Sequence, residues 1–331
     1  MKLTKEKIQT FGAVTQNNER ERDLKFGYAE YGRLHTVLVH TPGKELALVT
    51  PRSYERCLFS DAIDPEQFRQ DHISFTDTLR SEGVKVVQIT ELLQDRPELL
   101  KETEKLPNLT YTRDTATLTP NGYILTRMKN PIRRRESKIM EAALHQLSIP
   151  SLMKTKQPAT LEGGDLIFLD ENTLLVGTGN RTNHKAIQQL ARVGERHYEL
   201  RSLLIIPLPP SVLHLDGTMM PLDRDLTITH LPSLQNMCTL LEDGTVKRKV
   251  SLSKFLRERE ITLVEVTGYE RLRRATNLIP LKARKAIGYN GNARVRRELI
   301  RNGVDLIEIE GSELIRGSGG PRCLTTAILR D

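Results

Sequence analysis

A recurring order of hairpin, helix and strand constrains this chain more than any other feature. Two adjacent copies occupy residues 108–157 and 161–209, and their hairpins turn at Asn121-Gly122 and at residues 170–172. Asn and Gly tolerate the positive φ that tight turns require. A helix and an extended apolar segment follow in both copies. One such unit is too small to bury its own apolar face, so neighbouring units must pack on one another.

Three further copies are predicted, over residues 33–100, 214–267 and 274–331. A closed ring of five units would remove exposed sheet edges, so we expect one α/β domain over residues 1–331. The alternative is an ordinary α/β sheet with coincidental spacing. The helices are expected at residues 64–83, 133–147, 182–197, 251–260 and 293–303.

A short polar cluster precedes each new hairpin. Asp114, Asp165 and Asp216 end three of these clusters and lie 51 residues apart in both intervals, while Cys323 ends a fourth. Equivalent positions in a ring of repeats face a common axis. The clusters are therefore expected to converge on one central pocket.

His214 and Glu162 are candidate partners within that pocket. His214 and Asp216 are two residues apart, which on an extended strand places both side chains on one face. Glu162 precedes Gly163-Gly164, and paired glycines permit a close backbone approach. The alternatives are a structural histidine bonded to backbone and a solvated glutamate on a plain turn.

The three cysteines predict a nucleophile rather than a disulfide framework, because they are odd in number and far apart in the sequence. Inert packing is expected for Cys57 and Cys238. Cys323 follows GSGGP and Arg322, where flexible backbone gives access and a nearby cation would favour the thiolate. The candidate ligands have no compact metal-binding spacing, so neither a metal nor another cofactor is expected.

Charge and composition limit the other functional classes. The net charge is +8, with basic clusters at residues 127–138, 247–259 and 271–301, but aromatic residues make up only 5% and tryptophan is absent. Stacking platforms for bases are therefore scarce, and nucleic acid is not expected as the primary partner. The first ten residues carry charges and no apolar run of about 18 residues occurs, so we expect a cytoplasmic protein without a membrane span.

The polar clusters belong to longer motifs that follow one another along nearly the whole chain. They are GRLHTVLVHTPGKEL, LFSDAI, PNLTYTRD, NPIRRRE, LEGGDLIFL, GNRTNHKAI, HLDGTMMPLDRD and GSELIRGSGGPRCLTTAILRD. This ordered set resembles the guanidino-group modifying enzymes of the pentein fold, and within them the arginine deiminases. The resemblance implies a fivefold pseudosymmetric α/β propeller.

The resemblance also implies a role for each matched residue. Cys323 would be the nucleophile and His214 the general acid and base, with the Glu162 carboxylate beside it. Asp114 and Asp216 would grip the guanidinium of the substrate, whose five donors suit two carboxylates. The remainder of the amino acid would be held by Asn108, Tyr111, Arg133 and Arg181.

These roles imply hydrolysis of L-arginine to citrulline and ammonia through a thiouronium intermediate. The alternatives are an amidinotransferase, a hydrolase of a modified arginine such as methylated arginine, and a nucleic-acid-binding protein on the same scaffold. Three features depart from the family pattern. They are a short connection between Leu93 and Pro107, Ser318 in place of a common arginine, and the segment YERLRRATN, which lacks the acidic, glycine-containing sequence expected before the last hairpin. A homo-oligomer is left open.

Overall fold

The computed structural model of this protein describes residues 25–26, 29–194, 197 and 200–331. The charged segment 1–10 and residues 195–196 of the expected helix 182–197 lie outside them. Among the described helices, none combines the length and the apolar character that crossing a membrane requires.

The protein is a mixed α/β structure whose described strands form five separate sheets. In chain order the strands are β1 (Lys25–Phe26), β2 (Leu34–Val39), β3 (Lys85–Gln88), β4 (Ala116–Thr119), β5 (Gly122–Leu125), β6 (Ser151–Lys154), β7 (Leu166–Phe168), β8 (Thr173–Thr178), β9 (Ser202–Pro207), β10 (Met219–Asp223), β11 (Leu226–Thr229), β12 (Met237–Glu242), β13 (Thr245–Ser251), β14 (Thr262–Glu265), β15 (Ile279–Lys282), β16 (Lys285–Tyr289), β17 (Asp305–Ile309) and β18 (Thr326–Arg330).

Helices connect the strands and cover the sheets. The described α-helices are α1 (Pro65–Ser81), α2 (Ile89–Leu92), α3 (Pro97–Thr103), α4 (Glu136–Gln146), α5 (His184–Gly194), α6 (Leu252–Arg257), α7 (Gly268–Leu272), α8 (Ala293–Arg301) and α9 (Ser312–Arg316).

Every sheet contains the same three-stranded arrangement, an antiparallel pair followed by a parallel third strand. The triplets are β4-β5-β6, β7-β8-β9, β10-β11-β14, β15-β16-β17 and β18-β2-β3. A helix lies between the second strand and the third each time, namely α4, α5, α6, α8 and α1. The predicted order of hairpin, helix and strand is therefore present in four of the sheets, whereas β18 and β2 are not joined as a hairpin.

The sheet of the N-terminal unit takes its first strand from the far end of the chain. Strand β18 runs antiparallel to β2, with Thr326 opposite Leu38. Residues 326–330 fall inside the unit expected at 274–331, yet they pair in the sheet of the first unit. Residues 33–100 therefore do not contain the first strand of their own unit, because that strand lies elsewhere in the sequence.

Helix α1 shows how local sequence sets these elements. Asp64 caps its N-terminus by accepting hydrogen bonds from two backbone N–H groups, and Pro65 stands at the first helical position. Phe68, Phe75 and Leu79 lie on one face and are fully buried. They share a hydrophobic cluster with residues of the last hairpin, including Ile279 and Ile287. The units therefore pack on one another, as their small size requires.

An inserted hairpin departs from the predicted repeat. Strands β12 and β13 turn at Asp243-Gly244, both with positive φ, and β12 pairs with β9 of the neighbouring sheet. Residues 245–249 of β13 are all exposed. Such an edge strand lacks the alternation of apolar and polar residues by which strands are usually detected, so the sequence did not predict it.

Candidate active site

A cleft opens where the polar clusters meet. Short turns carry the clusters and directly precede strands: Thr112–Thr115 before β4, Gly163–Asp165 before β7 and Leu215–Gly217 before β10. The residues that line the cleft are Leu58, Asn108, Tyr111, Asp114, Arg133, Arg181, Leu213, His214, Gly317, Ser318, Gly319 and Cys323.

The cleft therefore brings together seven of the nine residues singled out in the sequence. The other two, Glu162 and Asp216, are 0% and 1% exposed and lie directly behind the lining. Glu162 contacts His214, and Asp216 contacts Cys323. All nine thus belong to one connected group.

Cys323 is held by the backbone of the loop that leads into β18. Its N–H donates to Asn277 Oδ1 at 3.3 Å, and its carbonyl oxygen accepts from the N–H of Arg113 at 3.2 Å. The thiol points to Asp216, with 3.6 Å between Sγ and Oδ2. These contacts fix the sulfur at the wall of the cleft beside a carboxylate.

The electrostatic environment of Cys323 corrects one expectation. Burial, together with the charges of Asp216 and Asp114, raises the pKa of the thiol far above its ordinary value. Arg322, expected to favour the thiolate, opposes this only weakly because its guanidinium is bonded to Glu30 and Asp216. The unliganded site therefore holds a neutral thiol.

His214 and Glu162 form a buried acid–base pair. The imidazole Nε2 lies 2.8 Å from Glu162 Oε2, and the same carboxylate accepts from the Lys129 backbone N–H at 2.9 Å. Burial alone would lower the pKa of His214, but Asp114, the hydrogen bond with Glu162 and Asp165 together raise it to about 9. The histidine is therefore protonated at neutral pH and can act as an acid.

The glycine pair after Glu162 is required by the approach of the loops. A Cβ on Gly163 would stand 2.0 Å from the carbonyl oxygen of Arg113, and one on Gly164 would stand 2.8 Å from the His214 ring. A side chain at Gly164 would push the histidine away from Asp114 and Glu162, and one at Gly163 would displace the backbone of Arg113. This confirms that the glycines serve close packing rather than a plain surface turn.

Asp114 offers the cleft an unused acceptor. Its Oδ2 accepts from Arg133 Nη1 at 2.6 Å, whereas its Oδ1 lies 3.6 Å from His214 Nδ1 and has no hydrogen-bond partner within the described residues. Glu136 holds Arg133 from the other side, with 3.1 and 3.0 Å between Arg133 Nε and its two carboxylate oxygens. A buried carboxylate oxygen without a donor favours a cationic or hydrogen-bonding ligand.

The other three expected contact residues also line the cleft. Arg181 lies in the loop before α5 and donates to Glu162 Oε2 at 3.0 Å. Asn108 donates to the Cys57 carbonyl oxygen at 2.7 Å. Tyr111 donates to the Leu314 carbonyl oxygen at 3.2 Å. Its ring fits the Gly317–Gly319 loop, where a Cβ on either glycine would overlap it.

One group of side chains has the composition of a metal site. Ligand atoms of Asp114, Glu162 and His214 lie within 4.8 Å of one another. However, His214 Nε2 is hydrogen-bonded to Glu162, and the raised pKa of the ring favours its protonated form. A histidine must be neutral to bind a metal ion, so this arrangement favours a proton on His214 over a metal ion.

Three further residues support the site, of which sequence reasoning named only Arg322. Arg322 is fully buried and links Asp216 to Glu30 through hydrogen bonds of 2.9 and 2.6 Å. Asn277 joins the Cys323 and Asp216 loops. Asn277 directly precedes the fourth hairpin, at a position like that of the clustered aspartates, so the repeat could have pointed to it. Glu30 stands outside the repeat and carried no such signal.

A sequence model described as "Arginine deiminase" matches residues 55–105 and 96–330 of the chain. The chain belongs to the arginine deiminase family. It is therefore a hydrolase that acts on guanidino C–N bonds.

Full-length relatives agree with this assignment. An arginine deiminase from Listeria monocytogenes is 27% identical, over 92% of this chain and 97% of the relative. One from Bacillus cereus is 26% identical, over 91% of this chain and 97% of the relative. The first alignment runs over 399 residues, whereas this chain has 331, so that relative carries segments that this family member lacks.

Solved structures share the fold. DDAH from Pseudomonas aeruginosa, in a cysteine-to-serine variant complexed with citrulline, superimposes with a TM-score of 0.68 at 19% identity and covers 89% of this chain and 99% of its own. The N-terminal domain of ArgZ, an arginine dihydrolase from cyanobacteria bound to product, gives 0.66 at 16% identity, with 88% and 96% covered.

Proposed function

We propose that this family member hydrolyses the guanidino group of L-arginine to citrulline and ammonia through a covalent thiouronium intermediate on Cys323. The observation that carries the proposal is the unpartnered Asp114 Oδ1, which faces a cleft that also holds the Cys323 thiol and a protonated His214. A planar cation with several N–H donors suits this combination of groups.

Substrate binding would activate the thiol. Asp216 and Asp114 raise the pKa of Cys323, and a guanidinium placed between these carboxylates neutralises their charge at the sulfur. The thiol then loses its proton to solvent more readily, and the thiolate forms next to its electrophile. The carboxylates therefore bind the substrate and couple its arrival to formation of the nucleophile.

The covalent steps follow from the placement of Cys323 and His214. The thiolate sulfur forms a bond to the guanidinium carbon, giving a tetrahedral adduct. The His214 imidazolium donates its proton to the departing nitrogen, the C–N bond breaks, and ammonia leaves behind a thiouronium. Neutral His214 then takes a proton from water, whose oxygen attacks the same carbon. The C–S bond then breaks and the hydroxyl proton of the adduct passes to solvent, which releases citrulline and regenerates the thiolate.

The remaining lining residues would hold the amino-acid part of the substrate. Arg181 and Arg133 offer positive charge for the α-carboxylate, and Asn108 and Tyr111 flank the same region. Agmatine, which has no carboxylate, is disfavoured on this basis. L-Arginine is accordingly the favoured small-molecule partner, and no metal or other cofactor enters these steps.

We further propose that residues 1–331 form one fivefold pseudosymmetric propeller of the pentein type. The five matching sheets and the β18–β2 pairing support this arrangement, as does the fold shared with DDAH. A cytoplasmic location is the matching expectation for an enzyme of free amino-acid metabolism.

Methylated arginine is a second candidate substrate. The observation that favours it is the structural similarity to dimethylarginine dimethylaminohydrolase, at a TM-score of 0.66. The chemistry would be the same, except that the leaving group would be a methylamine rather than ammonia.

Product analysis by mass spectrometry tests these proposals. The purified protein is incubated with L-arginine, with methylated arginine, and with arginine plus an acceptor amine such as glycine. Citrulline and ammonia from arginine are expected, without change when glycine is added. An amidinated glycine would establish a transferase, methylamine release in preference to ammonia would establish the second candidate, and no turnover of any guanidino compound would contradict the proposed function.

A further inference from the structure

Three buried arginines stand behind the catalytic carboxylates. Arg113, Arg322 and Arg330 are 3%, 0% and 1% exposed. The buried carboxylates whose charges act on Arg113 are Glu30 and Asp216. Three positive charges therefore face two buried negative ones, and the further carboxylate that acts on Arg330, that of Asp331, is exposed to solvent. One positive charge of this group thus has no buried counter-charge.

Two of the arginines have their donors occupied. Arg322 donates from Nε and Nη2 to Glu30 at 3.2 and 2.6 Å and from Nη1 to Asp216 at 2.9 Å. Arg330 donates to the carbonyl oxygens of Gly32 and Pro280 at 2.6 and 2.9 Å. Glu30 thus has both of its oxygens bound to Arg322, and the uncompensated charge falls on Arg113.

Arg113 lacks the partners that its neighbours have. Its Nε and Nη2 have no hydrogen-bond acceptor in the part of the chain that the structure describes. Burial, reinforced by the charge of Arg322, lowers its pKa to about 9, so the guanidinium is still cationic at neutral pH. A buried cation without a counter-charge is costly, and buried donors are nearly always satisfied.

A hydroxyl without a partner lies next to the backbone of the same residue. Thr117 Oγ1 also has no hydrogen-bond partner among the described residues. A Cβ on Gly163 would stand 3.0 Å from this hydroxyl and 2.0 Å from the Arg113 carbonyl oxygen, so the two groups lie close together. The hydroxyl is thus a second buried donor near the backbone of Arg113.

We propose that Arg113 binds a small monovalent anion, such as chloride, inside the protein behind the catalytic cleft. The site is separate from the cleft, because Asp114 lines the cleft and Arg113 does not. The anion satisfies the free donors and supplies the missing negative charge, which a water molecule would not. Near-complete burial restricts the ligand to a halide or an ion of similar size.

The anion would also affect the catalytic side. The positive charge of Arg113 acts on Asp216, the carboxylate next to the Cys323 thiol. An anion beside Arg113 cancels part of this field and so favours a cation in front of Asp216. Halide is therefore expected to lower the KM for a guanidinium substrate. This effect on KM rests on the proposed function, whereas the binding of halide at Arg113 does not.

Bromide provides a direct test in the unmodified protein. Crystals soaked in sodium bromide are expected to show an anomalous scattering peak within hydrogen-bonding distance of Arg113 Nε or Nη2. A water molecule there, or a side chain from residues outside the described part, would overturn the proposal. This result is independent of any enzymatic activity.

Thermal unfolding provides the second test. Gluconate is too large an anion for the site. At equal ionic strength, Tm is therefore expected to be about 2 °C or more higher in chloride than in gluconate, and the rise should saturate with chloride concentration. Arg113→Gln should abolish the difference, whereas Arg52→Gln, at an exposed arginine, should keep it. Equal Tm values for the unmodified protein in both salts would overturn the proposal. If Arg113→Gln does not fold, the bromide peak and the Tm values of the unmodified protein in the two salts decide whether the proposal holds.

Discussion

Asn277 ties the candidate nucleophile to the carboxylate beside it. Its Oδ1 accepts the backbone N–H of Cys323 at 3.3 Å, while its Nδ2 donates to the Asp216 carbonyl oxygen at 3.2 Å. Gly320 packs against the same side chain, since a Cβ there would lie 2.6 Å from Asn277 Oδ1. One buried amide therefore sets the distance between the two loops.

Replacing Asn277 is expected to impair the chemical step more than substrate binding. Asn277→Ala removes two hydrogen bonds worth about 1 kcal/mol each, and kcat should fall by about tenfold or more with a small change in KM. Alkylation of Cys323 by a guanidino inactivator should slow in parallel. The exposed Asn180→Ala is the control and should behave as the parent. An unchanged kcat and alkylation rate would show that Asn277 has no positioning role.

Only one of the three cysteines is expected to be essential. Cys323→Ser should abolish turnover, whereas Cys57→Ser and Cys238→Ser should keep most of it, because neither of these side chains lines the cleft. Peptide mapping after inactivation should find the adduct on Cys323. Modification of another cysteine, with the Cys323 peptide untouched, would mean that the nucleophile is assigned wrongly.

The protonated His214 predicts an alkaline limit to activity. The folded-state pKa is raised from 6.5 to about 9, so the ion pairs of His214 stabilise the fold fully below 6.5 and this contribution is lost as pH rises through about 9. Activity that needs the imidazolium should decline over the same range. Glu162→Gln removes a hydrogen-bonded anion and should move the alkaline limb to lower pH.

The pH profile needs a matched control. His184 is an exposed histidine at the start of α5, and His184→Gln should leave the alkaline limb in place. An identical limb in the Glu162→Gln variant would show that another group sets it.

Arg181 distinguishes two roles, recognition of the substrate carboxylate and support of Glu162. Arg181→Lys keeps the charge but loses the two-pronged geometry, so kcat/KM for L-arginine should fall by about tenfold or more. Any weak activity toward agmatine, which lacks the carboxylate, should change little in this variant. Equal losses for both compounds, with an unchanged circular dichroism spectrum, would assign Arg181 to its contact with Glu162.

Chelation tests the alternative use of Asp114, Glu162 and His214. Turnover should persist in EDTA, because the proposed steps use a proton on His214 where a metal site would need its lone pair. Activity that disappears on chelation and returns with added zinc would replace the thiol mechanism by a metal-assisted one.

The sequence predicted the regular elements better than the connections between them. Helix α1 was expected at residues 64–83 and spans Pro65–Ser81, since its cap and apolar spacing are local signals. The β12–β13 hairpin was missed because its outer strand buries almost nothing. The pairing of β2 with β18 was also missed, because no local pattern identifies a partner strand that lies so far away in the sequence.

The same division holds within the candidate site. Asp114, Asp165 and Asp216 stand out because the repeat gives them equal spacing, and Cys323 stands out by its glycine-rich loop. Glu30 and Arg322 are separated by 292 positions, and their ion pair depends wholly on how the sheets come together. Arg322 acts on the thiol in the expected direction, but burial and the charges of Asp216 and Asp114 outweigh it, and the sequence does not show that these groups surround the sulfur.

The pairing of β18 with β2 affects how the chain acquires its structure during synthesis. Residues 34–39 leave the ribosome long before their antiparallel partner at residues 326–330 is made. Until then, one side of β2 presents unpaired N–H and C=O groups to any other nascent strand. The loop bearing Cys323 is anchored by β18, so catalytic competence should arise only after residues 326–330 have paired with β2. Chains that do not yet contain this segment would be inert and prone to aggregate.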